Sequence, residues 1–139
     1  NFRLLEYKDA NQLYEMLNKF DEIDHYYFSP HSFELDYLEF LLKDVGKDLY
    51  FGLFGGEELI GYSMLRGWNE EYKVPSFGGA INRNFRGLGF GKILLQETIK
   101  WTKEKTAAKK IMLKVIKTNI SAINLYKKVG FRLKEYEKT

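Results

Sequence analysis

The sequence contains no cysteine among its 139 residues. That absence excludes a disulfide framework, a thiolate metal site and a thiol nucleophile, and it fits a reducing compartment such as the cytoplasm. Histidine is also scarce, since the chain has only His25 and His31. Two imidazoles six residues apart, without a third ligand in pattern, do not predict a metal site.

Long hydrophobic runs are absent as well. No run approaches the roughly 18 consecutive apolar residues that a membrane-spanning helix needs, and no segment has the pattern of a signal peptide. We therefore expect a cytoplasmic protein without a membrane partner. A composition with 45% hydrophobic and 29% charged residues is typical of globular proteins, and the length favours a single domain over residues 1–139.

Positive charge is in small excess, because 22 Lys and Arg against 19 Asp and Glu give a net charge of +3. Many of the lysines lie in the second half of the chain, where Glu97 and Glu104 interrupt the series. That interruption favours solvated helix faces over a nucleic-acid-binding surface, and a basic flank beside a polyphosphate ligand is a third interpretation. We therefore expect no nucleic-acid partner.

Hydrophobic periodicity predicts strands and helices in the order β-α-α-β-β-β-α-β-α-β. This order indicates an α/β fold in which helices flank a mixed sheet. The second helix is expected to bury Phe33, Tyr37, Phe40 and Leu41, and the segment 21–30 before it is expected to be a loop. The predicted strands are 2–7, 48–54, 59–66, 76–82, 110–116 and 131–136, and the predicted helices are 10–20, 33–43, 89–105 and 119–128.

A glycine-rich run links the fourth predicted strand to the third predicted helix. It reads Arg86-Gly87-Leu88-Gly89-Phe90-Gly91, with the form R-x-x-G-x-G. Glycines let backbone N–H groups approach a ligand, and the positive end of the helix dipole points to the same place, so the run predicts a phosphate-binding loop. No Gly-Lys-Ser/Thr follows, which excludes a Walker A motif, and the spacing excludes a dinucleotide-binding loop.

A second motif follows about 30 residues later, where residues 119–131 read NISAINLYKKVGF. It resembles the N-x-x-A-x-x-L-Y-x-x-x-G-F segment of the GNAT N-acetyltransferase superfamily, whose acyl-CoA signature, Q/R-x-x-G-x-G/A, is matched by Arg86, Gly89 and Gly91. The resemblance covers nearly the whole chain. It implies the GNAT fold, acetyl-CoA as co-substrate and an amine as acceptor.

The sequence departs from the family pattern in three places. Arg83 stands where the family often has proline, and the fourth strand carries no carboxylate, which is the general base in some members. The family's usual seventh strand is not visible before Thr139, so we expect an open sheet edge that favours a homodimer.

The resemblance implies that the fourth strand holds the pantetheine arm of CoA. In the family the backbone of this strand pairs with pantetheine, and the matching positions are Gly79, Ala80 and Ile81. The pair Gly78-Gly79 is expected to form a bulge that separates this strand from the next and leaves N–H and C=O groups for the arm. One N–H would then stabilise charge on the thioester oxygen. The alternative is a strand that is merely weakened by its glycines.

The resemblance also gives Tyr126 a chemical role. The matching tyrosine of the family lies near the CoA sulfur and donates a proton to the leaving thiolate, which suits a phenol with a pKa near 10. The alternative is a core aromatic, since the chain has 10 tyrosines. Asn119 is expected to cap the last helix or to contact the cofactor, and both interpretations fit.

Several residues are candidates for a general base that deprotonates the amine. The family places the acceptor between the first two helices and the loops after strands three and five, which makes His31 the first candidate to test. The alternatives are a helix-start or surface histidine and proton transfer to water without a dedicated base. The other candidates are Asp24, His25, Glu34, Glu70 and Glu71. The same region is rich in aromatic rings that stack on substrates or simply pack: Tyr26, Tyr27, Phe28, Phe33, Trp68 and Tyr72.

Together these features predict direct transfer of an acetyl group from acetyl-CoA to a primary amine, with no metal and no cysteine-bound intermediate. A small-molecule acceptor is favoured because the bulky 21–33 segment is expected to close one side of the site. A protein N-terminus or lysine is the alternative acceptor. A non-catalytic acyl-CoA-binding module and a phosphate-dependent nucleotide binder are the alternative functions.

Overall fold

The computed structural model of the protein describes residues 1–43, 46–67 and 74–132. Within these ranges five strands form one sheet in the order β1-β2-β3-β4-β5, antiparallel up to β4 and parallel between β4 and β5. This arrangement confirms the predicted mixed sheet of an α/β fold. The strands are β1 (Phe2–Leu4), β2 (Leu49–Gly55), β3 (Glu58–Arg66), β4 (Ser76–Ile81) and β5 (Met112–Leu113). The helices are α1 (Ala10–Leu17), α2 (Glu22–Tyr27), α3 (Leu35–Leu41), α4 (Phe90–Lys105) and α5 (Ile120–Val129).

The two faces of the sheet carry separate hydrophobic clusters, because successive side chains of a strand point to opposite faces. On one face, Tyr62 and Met64 of β3 pack in one cluster with the buried side chains of α1 and Leu38 of α3. On the other face, Leu65 of β3 clusters with Leu95 of α4 and with side chains of α5. We call these the α1/α3 face and the α4/α5 face.

The second helix differs from its prediction in both length and buried face. α3 buries Leu38, whereas Phe40 is 54% exposed and Tyr37 is 38% exposed. Phe33 and Leu41 pack against the buried cluster as expected. The prediction was wrong for Tyr37 and Phe40, because the apolar face is formed by leucines at the i, i+3, i+4 spacing, namely Leu38, Leu41 and Leu42.

The segment 21–30 was predicted to be a loop but contains α2. The Asp21 side chain accepts a hydrogen bond from the Asp24 N–H at 2.9 Å, and the Asp24 side chain accepts one from the Asp21 N–H at 3.0 Å. This reciprocal capping box stabilises the start of a helix of only six residues. A helix this short has no repeating apolar spacing from which it could be predicted. None of the α2 residues is buried.

The fifth strand is far shorter than the predicted 110–116. It pairs with β4 only at Ser76–Met112 and Phe77–Leu113. A bulge at Gly78-Gly79 was also predicted, and the β3–β4 register runs without a shift through both glycines. The two parallel strands instead separate directly after Phe77, which is the separation that the bulge was expected to cause.

Two further points bear on the predicted elements. Of the predicted strand 131–136, residues 131 and 132 are not in a strand, and the remainder lies outside the described residues. Among the described residues no helix is both long and apolar enough to cross a membrane.

Candidate active site

The outer edge of β4 beyond Phe77 is open towards the segment that follows β5. The Pro75 C=O accepts a hydrogen bond from Met112 on this side, whereas the Asn82 N–H donates to Ile60 on the β3 side. Backbone groups alternate along a strand, so the amides of Gly79 and Ile81 face the open edge, and those of Gly78 and Ala80 face β3. Buried N–H and C=O groups need partners. The Ile81 C=O accepts from Arg86, and the edge offers the N–H groups of Gly79 and Ile81 and the Gly79 C=O to an extended ligand.

Gly79 lies where the edge is most crowded. A Cβ at this position would lie 2.9 Å from Cζ of Phe77 and 3.3 Å from a methyl group of Leu94. The absence of a side chain therefore lets β4 and α4 pack closely next to the open edge. The ring of Phe77 also contacts Tyr126, with their centroids 6.4 Å apart in an edge-to-face arrangement, which brings α5 towards the same place.

The glycine run follows the end of β4 and forms the N-terminus of α4, a helix of 16 residues. Gly87 and Gly89 both have positive φ, at 76° and 87°, and Gly89 is the N-cap residue. Gly87, Leu88 and Gly89 are exposed, so the first N–H groups of the helix face solvent or a ligand. Leu88 and Phe90 flank this exposed N-terminus, and a Cβ at Gly91 would touch Leu125 of α5 at 3.4 Å.

The side chain of Arg86 has protein partners in the structure. Its Nη1 donates to Oδ1 of Asp24 at 2.7 Å and its Nε donates to the Ile81 C=O at 3.1 Å. The guanidinium also lies 4.9 Å from the ring centre of Phe20. Arg86 thus joins the end of β4 to α2, while its backbone remains part of the glycine run.

Tyr126 lies on the α4/α5 face among aromatic rings. Its ring contacts Phe77 and Phe131 at centroid distances of 6.4 and 6.0 Å. Burial raises the pKa of Tyr126 above its ordinary value, so the hydroxyl stays protonated at neutral pH. In the described part of the chain this hydroxyl has no hydrogen-bond partner, which leaves it available to a ligand group.

Asn119 caps α5, as one of its two predicted roles required. Its Oδ1 accepts a hydrogen bond from the Ala122 N–H at 3.4 Å. The helix ends at Gly130, whose φ is 113°, and the intervening motif places Leu125, Tyr126 and Val129 against the sheet.

His31 lies on the α1/α3 face, where it contacts a fully buried hydroxyl group. Its Nε2 lies 2.9 Å from the Tyr62 hydroxyl and its Nδ1 lies 2.7 Å from the Ser32 C=O. Because a carbonyl only accepts, Nδ1 carries the hydrogen and Nε2 accepts from Tyr62. Burial lowers the pKa of His31 and raises that of Tyr62 well above 10, so both are neutral near pH 7.

The structure does not bring His31 and Tyr126 into contact within the described ranges, since they pack on opposite faces of the sheet. Asp24, another candidate base, is engaged by Arg86 and Arg83. Burial alone would raise the pKa of Asp24, but these guanidinium groups and the Asp21 N–H bring it below its ordinary value. Glu34 and His25 are exposed. The remaining candidates, Trp68, Glu70, Glu71 and Tyr72, lie outside the described residues.

Protonation of His31 is expected to destabilise the fold. The pKa of His31 is lower in the folded chain than the ordinary value of 6.5, so the unfolded chain binds this proton first as the pH falls. The free energy of unfolding therefore keeps its full value with respect to His31 above pH 6.5. It decreases as the pH falls from 6.5 towards the folded-state pKa of His31. Thermal melts from about pH 8 to about pH 5 should show this loss. His31→Gln should make the melting temperature less dependent on pH, and His25→Gln should not. An unchanged pH dependence in His31→Gln would mean that protonation of His31 does not destabilise the fold.

One group near the site, Tyr62, was missed from the sequence, and the contact made by Tyr27, already named among the aromatic rings, was not predicted. Tyr62 is one of 10 tyrosines in the chain. Nothing in the sequence around it indicates that it is the partner of His31. Tyr27 donates from α2 to Oγ1 of Thr118 at 2.9 Å, across 91 residues of chain. In the described ranges no group of three or more histidine, aspartate or glutamate side chains is placed to hold a metal ion.

Comparisons with known proteins identify the family and the fold of the chain. Residues 10–131 match a family model described as the acetyltransferase (GNAT) family. The chain is 36% identical to an N-alpha-acetyltransferase of Sulfolobus acidocaldarius over a match covering 66% of this chain and 60% of that protein. It is 30% identical to a spermine/spermidine N(1)-acetyltransferase of Bacillus subtilis, covering 71% of this chain and 73% of that protein.

A solved structure gives the same fold. The chain superimposes with a TM-score of 0.83 on spermidine N-acetyltransferase from Vibrio cholerae in complex with CoA and spermine, at 23% identity, covering 97% of this chain and 82% of that one. The predicted resemblance is thereby confirmed for the family and for the fold. The chain spans 60% of the length of the Sulfolobus relative.

Proposed function

Because this chain belongs to the acetyltransferase (GNAT) family, we propose that it transfers an acetyl group from acetyl-CoA to a primary amine, and that the acceptor is a small molecule. The observation that carries the proposal is the open edge of β4, which leads to a glycine-rich helix N-terminus. An extended amide-bearing chain adds to such an edge as a strand does, and a pyrophosphate suits such an N-terminus. Acetyl-CoA supplies both parts and an activated thioester.

In this proposal the backbone does most of the binding. Gly79 and Ile81 pair with the pantetheine amides, while Ala80 lines the channel through its methyl group on the α1/α3 face. The N–H groups from Gly87 to Gly91 hold the pyrophosphate, and Leu88, Phe90 and Asn119 border it. The N–H of Gly79 donates to the thioester oxygen as negative charge develops there, a stabilisation that a preformed donor supplies without reorganisation.

The proposed chemistry is direct attack by the amine on the thioester carbon. The C–N bond forms, the C–S bond breaks, and Tyr126 gives its hydroxyl proton to the departing thiolate. On the acceptor side the amine loses a proton to Nε2 of His31, which the fully buried Tyr62 hydroxyl first releases by turning its hydrogen away; transfer to water without a dedicated base is the alternative. The chain has no cysteine to carry the acetyl group between the two substrates.

The structure supports a small acceptor more than a peptide. The end of α2 and the segment after it are fastened on the acceptor side: Tyr27, the last residue of α2, donates a hydrogen bond to Thr118, and Pro30 accepts one from Arg66 at 2.8 Å. A fastened segment on this side favours a small acceptor, because a peptide needs an open groove. The second candidate acceptor is a protein N-terminus, which the name of the Sulfolobus relative favours.

The proposal is tested by thiol release from acetyl-CoA with a panel of amines. The panel contains spermidine, an amino sugar, an aromatic amine, a peptide with a free N-terminus, and the same peptide with a blocked N-terminus and one lysine. We expect release with at least one small amine at a higher kcat/KM than with either peptide. Release only with the free N-terminus would replace the small acceptor by the second candidate. If the chain binds CoA but no amine causes release of the thiol, the chain is a non-catalytic acyl-CoA-binding module.

A further inference from the structure

The helix α2 makes two side-chain hydrogen bonds with distant parts of the chain, beside the ion pairs of Arg83 with Asp21 and Asp24 and the ring contact of His25 with Phe33. Asp24 accepts from Arg86 at 2.7 Å, across 62 residues, and Tyr27 donates to Thr118 at 2.9 Å, across 91 residues. None of the residues of α2 is buried, and the helix has only six residues. A helix this short has little stability of its own, so its position depends on its contacts.

These two contacts attach α2 to opposite sides of the proposed CoA channel. Arg86 also donates to the Ile81 C=O, so the Asp24 contact fixes α2 to the end of β4. Thr118 directly precedes Asn119, the N-cap residue of α5, so the Tyr27 contact fixes α2 to the other side of the opening. The two side chains are three residues apart and therefore lie on one face of the helix, from which they reach both sides of the opening.

We propose that Asp24 and Tyr27 are positioning residues that hold α2 across the opening between β4 and α5, so that α2 retains the pantetheine arm of CoA in its channel. The inference rests on the proposed function, because it concerns the same channel. The Asp24–Arg86 hydrogen bond also connects α2 with the glycine run that is proposed to bind the pyrophosphate.

Other interpretations of the two contacts are weaker. Exposed ion pairs and hydrogen bonds add little to global stability, so a purely structural role predicts small effects on unfolding and none on ligand exchange. Regions with few buried contacts open locally far more often than the whole fold unfolds. Loss of one tether should therefore increase local opening of α2 and the rate at which CoA leaves.

The experiment measures the dissociation rate of CoA by surface plasmon resonance on the full chain. Tyr27→Phe removes only the hydroxyl bonded to Thr118, and we expect a dissociation rate about 3- to 10-fold higher. The matched control is Tyr26→Phe, the adjacent and 63% exposed tyrosine, which should leave the rate unchanged. Thr118→Val should reproduce the effect of Tyr27→Phe, and the double variant should be no faster than either single variant.

Asp24→Asn provides a second arm, with thermal melts to show that the chain remains folded, because Asp24 also caps α2. It should accelerate dissociation while the melting temperature stays within a few degrees. An unchanged rate in Tyr27→Phe, an equal effect of Tyr26→Phe, or additive effects of Tyr27→Phe and Thr118→Val would overturn the inference and leave the proposed function intact. Failure of the unaltered chain to bind CoA would overturn the proposed function, and this inference with it.

Discussion

Replacing Gly89 by alanine is expected to weaken acetyl-CoA binding by about 10- to 100-fold. Gly89 is the N-cap residue of α4 and has a φ of 87°, a conformation that an L side chain adopts only with strain. Alanine would shift the backbone towards negative φ and turn the first N–H groups of the helix away from the pyrophosphate. Loss of about one hydrogen bond to a charged group, at about 1.5–3 kcal/mol, gives the expected range.

The control for Gly89→Ala is Gly56→Ala. Gly56 lies in the β2–β3 turn with a φ of 62°, and neither glycine has an atom within 4 Å of an added Cβ. The two substitutions thus impose a similar backbone strain at different places. Calorimetric titration with CoA should show weak binding for Gly89→Ala and unchanged binding for Gly56→Ala, with similar losses of melting temperature. Equal affinities of the two variants would mean that the glycine run does not bind the pyrophosphate.

Replacing Tyr126 by phenylalanine is expected to lower kcat by about 100-fold, within the range found for general acids. The ring contacts with Phe77 and Phe131 are retained in this variant, so only the proton donor is lost. Because burial raises the pKa of Tyr126, the hydroxyl is protonated throughout the neutral and mildly alkaline range and serves as an acid there. The affinity for CoA should change by less than about twofold, since the hydroxyl matters most as the thiolate leaves.

Steady-state kinetics with a saturating small amine would measure this effect. Tyr14→Phe, which alters a 37% exposed tyrosine on α1, serves as the control for a general effect of removing a hydroxyl. If Tyr126→Phe retained the kcat of the unaltered chain, the proton would come from solvent or another group, and Tyr126 would be a packing residue.

Elements with a local signal were predicted well from the sequence. The glycine run predicted the start of α4, because left-handed backbone and a helix N-cap depend on which residues stand at a few neighbouring positions of the sequence. The motif around Tyr126 fixed α5, with Asn119 and Gly130 at its ends. Strands β2 and β3 lie within one residue of the predicted 48–54 and 59–66, and the short turn between them begins at Gly56.

What the sequence did not reveal depends on distant contacts. The separation of β4 from β5 was predicted through a bulge at Gly78-Gly79, yet β4 remains regular and the fifth strand ends early. The partner of His31 is Tyr62, 31 residues away, and the helix α2 is placed by Arg86 and Thr118. Contacts across such separations are set by the packing of the sheet and leave no periodic pattern in the chain.

The Arg86 side chain illustrates the same limit. Its position in the glycine run associates it with the pyrophosphate, and the structure adds contacts with Asp24, the Ile81 C=O and the ring of Phe20. The proposal therefore assigns pyrophosphate binding to the backbone of the run, and to the Arg86 side chain the joining of β4 to α2.

Amide hydrogen exchange measured by NMR distinguishes whether the open edge of β4 binds the pantetheine arm. Gly78 and Ala80 already face β3, so their amides should exchange slowly with or without CoA. The amides of Gly79 and Ile81 face the opening, and addition of CoA should slow their exchange by about 10-fold or more. Protection that appears elsewhere, with Gly79 and Ile81 unchanged at saturating CoA, would contradict the account.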